Sequence, residues 1–198
     1  GQIGKAVHSS MIGELSMMFQ RTHPNLTARI SKTTVHGFLN GIKITGETGP
    51  FFESTFFLFH SAKLKGKNCL EGLILHLFHN LFGPLSGNSK TVVGAIDKSF
   101  RFAPLSPIRA EQILSQLHEL YREGITRPLP FFPNASFAWL EQKIKYQEGK
   151  RRGNSLEPID CAKKSWLNQM GGEGTGFSTD LIYQKHPWDL PKTLELNE

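Results

Sequence analysis

Two histidines, His76 and His79, stand three residues apart in "CLEGLILHLFHNLFG" (69–83), close enough on a helix to share a face and offer imidazoles to a metal. Both sit among Leu and Phe, and no cysteine or carboxylate pair flanks them, so packing or partner contact is the expected role. "SAKLKGKN" (61–68) gathers Lys63, Lys65 and Lys67, whose ammonium groups could line a phosphate path or simply be solvated. "GGEGTG" (171–176) lacks the Gly-Lys-Ser/Thr ending of a phosphate-binding loop and reads as a mobile loop. No G-x-S-x-G element is present and no Cys–His or Ser–His–Asp set suggests itself, so nucleophilic hydrolysis has no candidate. What remains is metal-dependent phosphodiester cleavage. That chemistry needs two or more carboxylates at strand ends to hold Mg²⁺, and a lysine to position water and stabilise charge. Residues 35–60 have the right shape for it, which makes their identities decisive.

The elements that would position such residues follow from periodicity. Val7, Met11, Ile12, Leu15, Met18 and Phe19 recur at helical spacing in 5–21. The Thr-, Ile- and Val-rich run 25–47 predicts two strands meeting near Gly37, and 51–60, "FFESTFFLFH", one aromatic strand covered on both faces. Residues 69–83 form a helix apolar on nearly all sides, closed by Gly83 and Pro84, which belongs at the centre of a domain. Residues 90–96 are a short strand. Residues 106–124 predict a helix with Ser106 as N-cap and Pro107 at its first position. Ile113, Leu114, Leu117, Leu120 and Tyr121 form its apolar face, and Gly124 ends it. A helix over about 134–148, capped by Asn134 or Ser136, a basic loop at 148–155 and a last helix near 157–169 carrying Trp166 complete the order. Helix, two or three strands, helix, strand, helices is the order of an α/β domain with a small mixed sheet.

The bulk numbers permit this. A chain of 198 residues can bury about 70% of its unfolded surface and needs no disulfide or metal staple. Cys69 and Cys161 match no zinc-ligand spacing and read as free thiols of a reducing compartment. No apolar run approaches the roughly 20 residues of a membrane span. The net charge of +6 is compatible with a polyanion partner, although many ordinary domains are as basic. The chain opens with Gly1 rather than Met and reads as a piece of a longer polypeptide.

Four stretches then carry a resemblance. "LEGLILHLFHNLFGPL", "FRFAPLSP", "LYREGITRPLPFFPNASFAWL" and "GGEGTG" occur in the same order as in the C-terminal domain of RecC, the gamma subunit of the RecBCD helicase–nuclease, exodeoxyribonuclease V. The signature Tyr121, Gly124, Pro128, Pro133 and Trp139 is its most specific part; the helix at 69–83 departs slightly, with Leu73 standing where family members usually carry a tryptophan. The resemblance covers nearly the whole chain and implies one domain over 1–198, with 171–198 a flexible tail.

It also implies a PD-(D/E)xK nuclease-like fold that has lost its active site. Active relatives read Gly-x-Ile-Asp and then Asp-x-Lys; here "GFLN" puts Asn40 where the first metal-binding aspartate would stand. The second motif falls on Glu53-Ser54-Thr55 in one register and on Leu58-Phe59-His60 in the other. Neither gives an acid followed two residues later by lysine, so no catalysis, metal or cofactor is expected. The implied role is a cytoplasmic, non-catalytic scaffold in double-strand-break repair and recombination, holding RecD- and RecB-type helicase subunits and lining the DNA path at the fork. Lys63, Lys65, Lys67, Arg151 and Arg152 are the candidate phosphate contacts. The alternatives are a residual Mg²⁺ nuclease using Glu53, and a protein-only scaffold. In the signature, Pro128, Pro130 and Pro133 stiffen a connector between two helices. Phe131 and Phe132 anchor it to the core, Tyr121 closes the first helix, and Trp139 starts packing in the second.

Overall fold

The computed structural model describes residues 2–22, 29–30, 32–127, 129, 131–149 and 156–167. In chain order the elements are α1 (Gln2–Thr22), β1 (Arg29–Ile30), β2 (Thr33–Leu39), β3 (Ile42–Thr48), β4 (Phe51–Phe52), β5 (Thr55–His60), α2 (Gly66–Phe82), β6 (Lys90–Ala95), β7 (Ser99–Phe102), α3 (Pro107–Thr126), α4 (Pro133–Gln147) and α5 (Pro158–Trp166). Residues 1–64 with 68–122 form one compact unit, and residues 65–67 with 123–198 a second.

In the first unit, Asn40-Gly41 reverses the chain between β2 and β3, with φ of 51° and 77° at the two turn residues. A two-residue hairpin turn that matches strand twist demands positive φ at both positions, and Asn-Gly is the dipeptide that tolerates it best. The reversal is therefore at 40–41 and not near Gly37, which lies inside β2. The aromatic run 51–60 is likewise two strands. Glu53, at φ 56°, turns β4 back onto β5, and Phe51 faces Phe56 across the pair.

β2 and β3 make their own two-stranded sheet; the other five strands are ordered β1-β4-β5-β6-β7. Within that sheet β5 and β6 are parallel and the remaining pairs antiparallel. A parallel pair needs a crossover connection, and α2 supplies it. That role explains why α2 reads as apolar nearly all round. Leu77, His79 and Asn80 are buried on it, and a Cβ on Gly72 would lie 2.2 Å from Val93 of β6. The inner face of the hairpin rests on the same helix: Gly37 leaves room for the Phe82 ring, and Gly46 for that of Phe78. Leu39, Leu77, Ala110 and Leu114 form a buried cluster joining hairpin, α2 and α3. The edge strand β7 has no counterpart in the sequence-based expectation.

Ser106 begins α3 as expected, its Oγ accepting from the Arg109 N–H at 3.4 Å and its carbonyl from that of Ala110. The other end differs. The helix passes through Gly124 to Thr126, because glycine weakens a helix without forbidding it, and stops two residues short of Pro128. Tyr121 is thus inside the helix, 67% exposed, and does not close it; Leu120 is also exposed, so the buried stripe ends at Leu117.

In the second unit α4 packs on α5. Each begins with proline at its first turn and neither has a side-chain cap bond; the N-cap residues are Phe132 and Glu157, not Asn134 or Ser136. Proline there lacks only an N–H that would be unpaired anyway, and its fixed φ suits the first turn. The Phe132 ring meets Trp166 edge-on at 4.0 Å between centroids, and Trp166 is 5% exposed. Gln142 Nε2 donates to the Leu156 carbonyl at 2.9 Å, tying α4 to the chain entering α5. Phe131 is exposed, so of the two adjacent phenylalanines Phe132 alone is an anchor. Pro128, Pro130 and the 171–198 tail lie outside the described residues.

Candidate functional site

The residues at nuclease-motif positions lie on different elements. Asn40 closes the β2–β3 hairpin, where its Oδ1 accepts from Ser115 Oγ at 3.2 Å. Glu53 closes the other turn, exposed, in the five-stranded sheet. Thr55 opens β5 opposite Lys90, Leu58 pairs with Val93, and His60 ends the strand opposite Ala95. Five residue steps at about 3.3 Å each put Thr55 and His60 roughly 16 Å apart, so the two registers of the second motif lie at opposite ends of one strand.

The carboxyl ends of β5 and β6 are where open α/β sheets place ligands. Here that end holds His60, whose Nδ1 is 3.2 Å from Asn68 Nδ2 and whose Nε2 is 3.9 Å from Glu71 Oε2. Asp97, just past β6, uses Oδ1 to accept the Leu64 N–H at 2.8 Å. Asp97 thus ties the end of β6 to the chain entering α2, while His60 Nε2 is buried without a hydrogen-bond partner among the described residues. Among the described residues no group of three or more His, Cys, Asp or Glu is placed to hold a metal ion.

His76 and His79 lie deeper, on the inner side of α2. His76 Nδ1 hydrogen-bonds Thr91 Oγ1 at 3.1 Å, and its ring stacks on Phe102 at 5.3 Å. Asn80 completes the network, donating to the His76 carbonyl and, across to the strand entering β6, to that of Ser89. His79 lies between the edges and faces of Phe51 and Phe56, with centroids at 5.0 and 4.5 Å. Burial pushes His79 down to about 4, helped by the neighbouring charge of His76. Burial lowers His76 too, partly offset by its bond to the Ala103 backbone. Both imidazoles are neutral packing groups at physiological pH.

The candidate phosphate contacts fall in different parts of the chain. Lys63 is exposed in the first unit; Lys65 and Lys67 are exposed in the second; Arg151 and Arg152 lie outside the described residues. Composition passed over a different surface, the outer face of the hairpin. There Thr34, His36 and Phe38 stand opposite Glu47, Thr45 and Lys43, and Phe38 is 68% exposed. The Asn-Gly dipeptide, counted outward, would have revealed this register.

Comparison with known proteins decides the family. A family model described as the RecC C-terminal domain matches residues 1–144, which takes in both sheets, α2 and α3. The chain belongs to the RecC C-terminal domain family. It is 32% identical over 160 residues to the RecBCD enzyme subunit RecC of Escherichia coli (strain K12), an alignment covering 79% of this chain and 14% of that protein. The chain thus spans about one-seventh of that relative's length. Within the RecC C-terminal family, this chain presents a mixed α/β architecture of small sheets flanked by helices. No helix among its described residues is long and apolar enough to cross a membrane.

Proposed function

We propose that this chain is the non-catalytic, nuclease-like domain of a RecC-type subunit in a RecBCD-type helicase–nuclease, working in the cytoplasm in double-strand-break repair and recombination. It scaffolds the helicase subunits, chiefly the RecD type, and helps line the DNA path at the fork, while nuclease and helicase chemistry reside in other subunits. Membership of the RecC C-terminal domain family is the observation that carries this reading. The order α1, strands, α2, parallel β6 is compatible with a PD-(D/E)xK ancestor. Loss of its active site is supported by side-chain chemistry. Asn40 offers one neutral amide oxygen and is taken by Ser115, Leu58 has no ligand atom, and Glu53 stands in the β4–β5 turn. A divalent ion over a scissile phosphate needs several converging oxygens and a nearby ammonium.

The purified chain, incubated with labelled single- and double-stranded DNA and Mg²⁺ or Mn²⁺, is expected to leave both intact. Cleavage that vanishes in Glu53→Ala would establish the residual nuclease instead. Mixing the chain with each helicase subunit is expected to recover the RecD-type subunit by co-purification; failure to recover either removes the scaffold role.

A further inference from the structure

We propose that the outer face of the β2–β3 hairpin, built on Phe38 and Lys43, is a stacking site for an unpaired base of single-stranded DNA. The proposal rests on the reading that this domain lines a DNA path, and it assigns that contact to residues other than the connector lysines.

The register leaves no choice about which side chains share the face. Alternation sends Val35, Gly37 and Leu39 inward, where Leu39 is 2% exposed, and Thr34, His36 and Phe38 outward. A ribbon packed on one side should be polar on the other. Thr34, His36, Thr45 and Glu47 obey; Phe38 does not. A single exposed apolar side chain is ordinary by itself. The surroundings of this one are specific. Lys43 is directly opposite, within the roughly 5 Å Cβ separation of a cross-strand pair. His36, two residues back on the same face, has its ring held by Thr45 Oγ1 at 3.1 Å. Glu47, the acid on the face, is met by Lys32 at 3.8 Å, so among the described residues the Lys43 ammonium supplies the face's uncompensated charge.

A flat exposed ring with a cation at its side fits a ligand with a π face and an adjoining negative charge. Successive nucleotides of a single strand have that form; in duplex DNA the bases stack on one another and cannot reach the ring. Base–aromatic stacking combined with a cation that tracks the backbone is the general means of sequence-tolerant single-strand binding. A membrane surface is a poorer fit, because one phenylalanine beside Glu47, His36 and two threonines is too little apolar area to insert.

The test uses the 198-residue chain with fluorescein-labelled oligothymidine and a labelled duplex, followed by anisotropy at several salt concentrations. Single-strand binding is expected to weaken about tenfold in Phe38→Ala, the scale of one stacked base, and to persist in Phe38→Tyr. Lys43→Ala should reduce the slope of log K against log salt by about 0.7, one phosphate on a single strand. Phe38 is solvent-exposed, so thermal melts of these variants should superimpose on the parent. Parent binding that neither substitution alters overturns the proposal and leaves the DNA-path reading standing. A parent that binds no DNA at low salt removes both. Loss of helicase-subunit co-purification in Phe38→Ala, with DNA affinity intact, overturns the proposal in favour of a protein contact.

Discussion

The imidazole of His79 meets the Phe56 ring edge-on at 4.5 Å, with its Nδ1 buried and without a hydrogen-bond partner among the described residues. Burial strips the charged imidazole of its hydration, and this desolvation is the larger part of what pushes His79 down to about 4.

The consequence for stability has a definite sign. In the unfolded chain His79 takes up a proton near its ordinary 6.5, while in the folded chain it stays neutral until about 4. The unfolded state therefore binds more protons between those values, and stability is complete above about 6.5 and falls as pH drops towards 4. The gap corresponds to about 3 kcal/mol at most. Urea melts across this range should show the loss, and His79→Leu should flatten it. An unchanged slope in that variant would assign the acid sensitivity to other groups.

Gly72 gives a second test, because two effects oppose each other there. Replacing a mid-helix glycine by alanine normally stabilises by about 1 kcal/mol. In α2 the new Cβ would lie 2.2 Å from Val93 Cγ2, and Val93 is fully buried on β6 with no room to retreat. Overpacking of that kind costs about 1–3 kcal/mol, so the steric term wins. Gly72→Ala is expected to lower the urea midpoint, and Gly4→Ala on α1, where a Cβ meets nothing within 4 Å, to leave it unchanged or raise it. A stabilised Gly72→Ala protein would mean that α2 and β6 are not in close contact.

How much of this was legible beforehand depends on the range of the signal. α2, β6 and the start of α3 are written locally, in an unbroken apolar run, a Val-Val strand and a Ser106-Pro107 cap. Gly37 suggests a reversal by its residue type, but the position needs glycine for closeness to Phe82. That packing relation is long-range and leaves no mark in composition. Asn40-Gly41 does mark the turn, but Asn40 also falls at the ligand position the nuclease resemblance implies, which masks its hairpin chemistry. β7 pairs at an edge through four residues, too few for alternation to register. The same holds for Phe38: its exposure follows from a register that a reversal near Gly37 does not contain.

The tryptophans separate two kinds of truncation. The sequence predicts that Trp139 starts the packing of α4, yet it is only half-buried there, with Lys143 Nζ 4.6 Å from its ring centroid. The buried tryptophan is Trp166, on α5 against Phe132. Trp166→Ala should cost about 3–5 kcal/mol, as for a large aromatic removed from a core. Trp139→Ala loses a partly exposed surface and a cation–π contact worth about 0.5–1 kcal/mol, and should cost less than half as much. Denaturant melts of the two variants side by side decide the ranking. Equal losses would mean that Trp139 is packed as tightly as Trp166.

Glu53 distinguishes a turn residue from a ligand. Its φ of 56° lies in the left-handed region, which disfavours residues bearing a Cβ by about 1–2 kcal/mol relative to glycine. Glycine relieves that strain and returns part of the gain by enlarging the unfolded ensemble, so Glu53→Gly is expected to stabilise by about 0.5 kcal/mol. Glu53→Ala keeps the strain and should be neutral within error. An acid kept to hold a metal behaves otherwise: added Mg²⁺ or Mn²⁺ would raise the melting temperature of the parent and not of either variant. Melts of all three proteins with and without the cation read both properties at once. A cation-dependent rise confined to the parent would return Glu53 to the list of ligands.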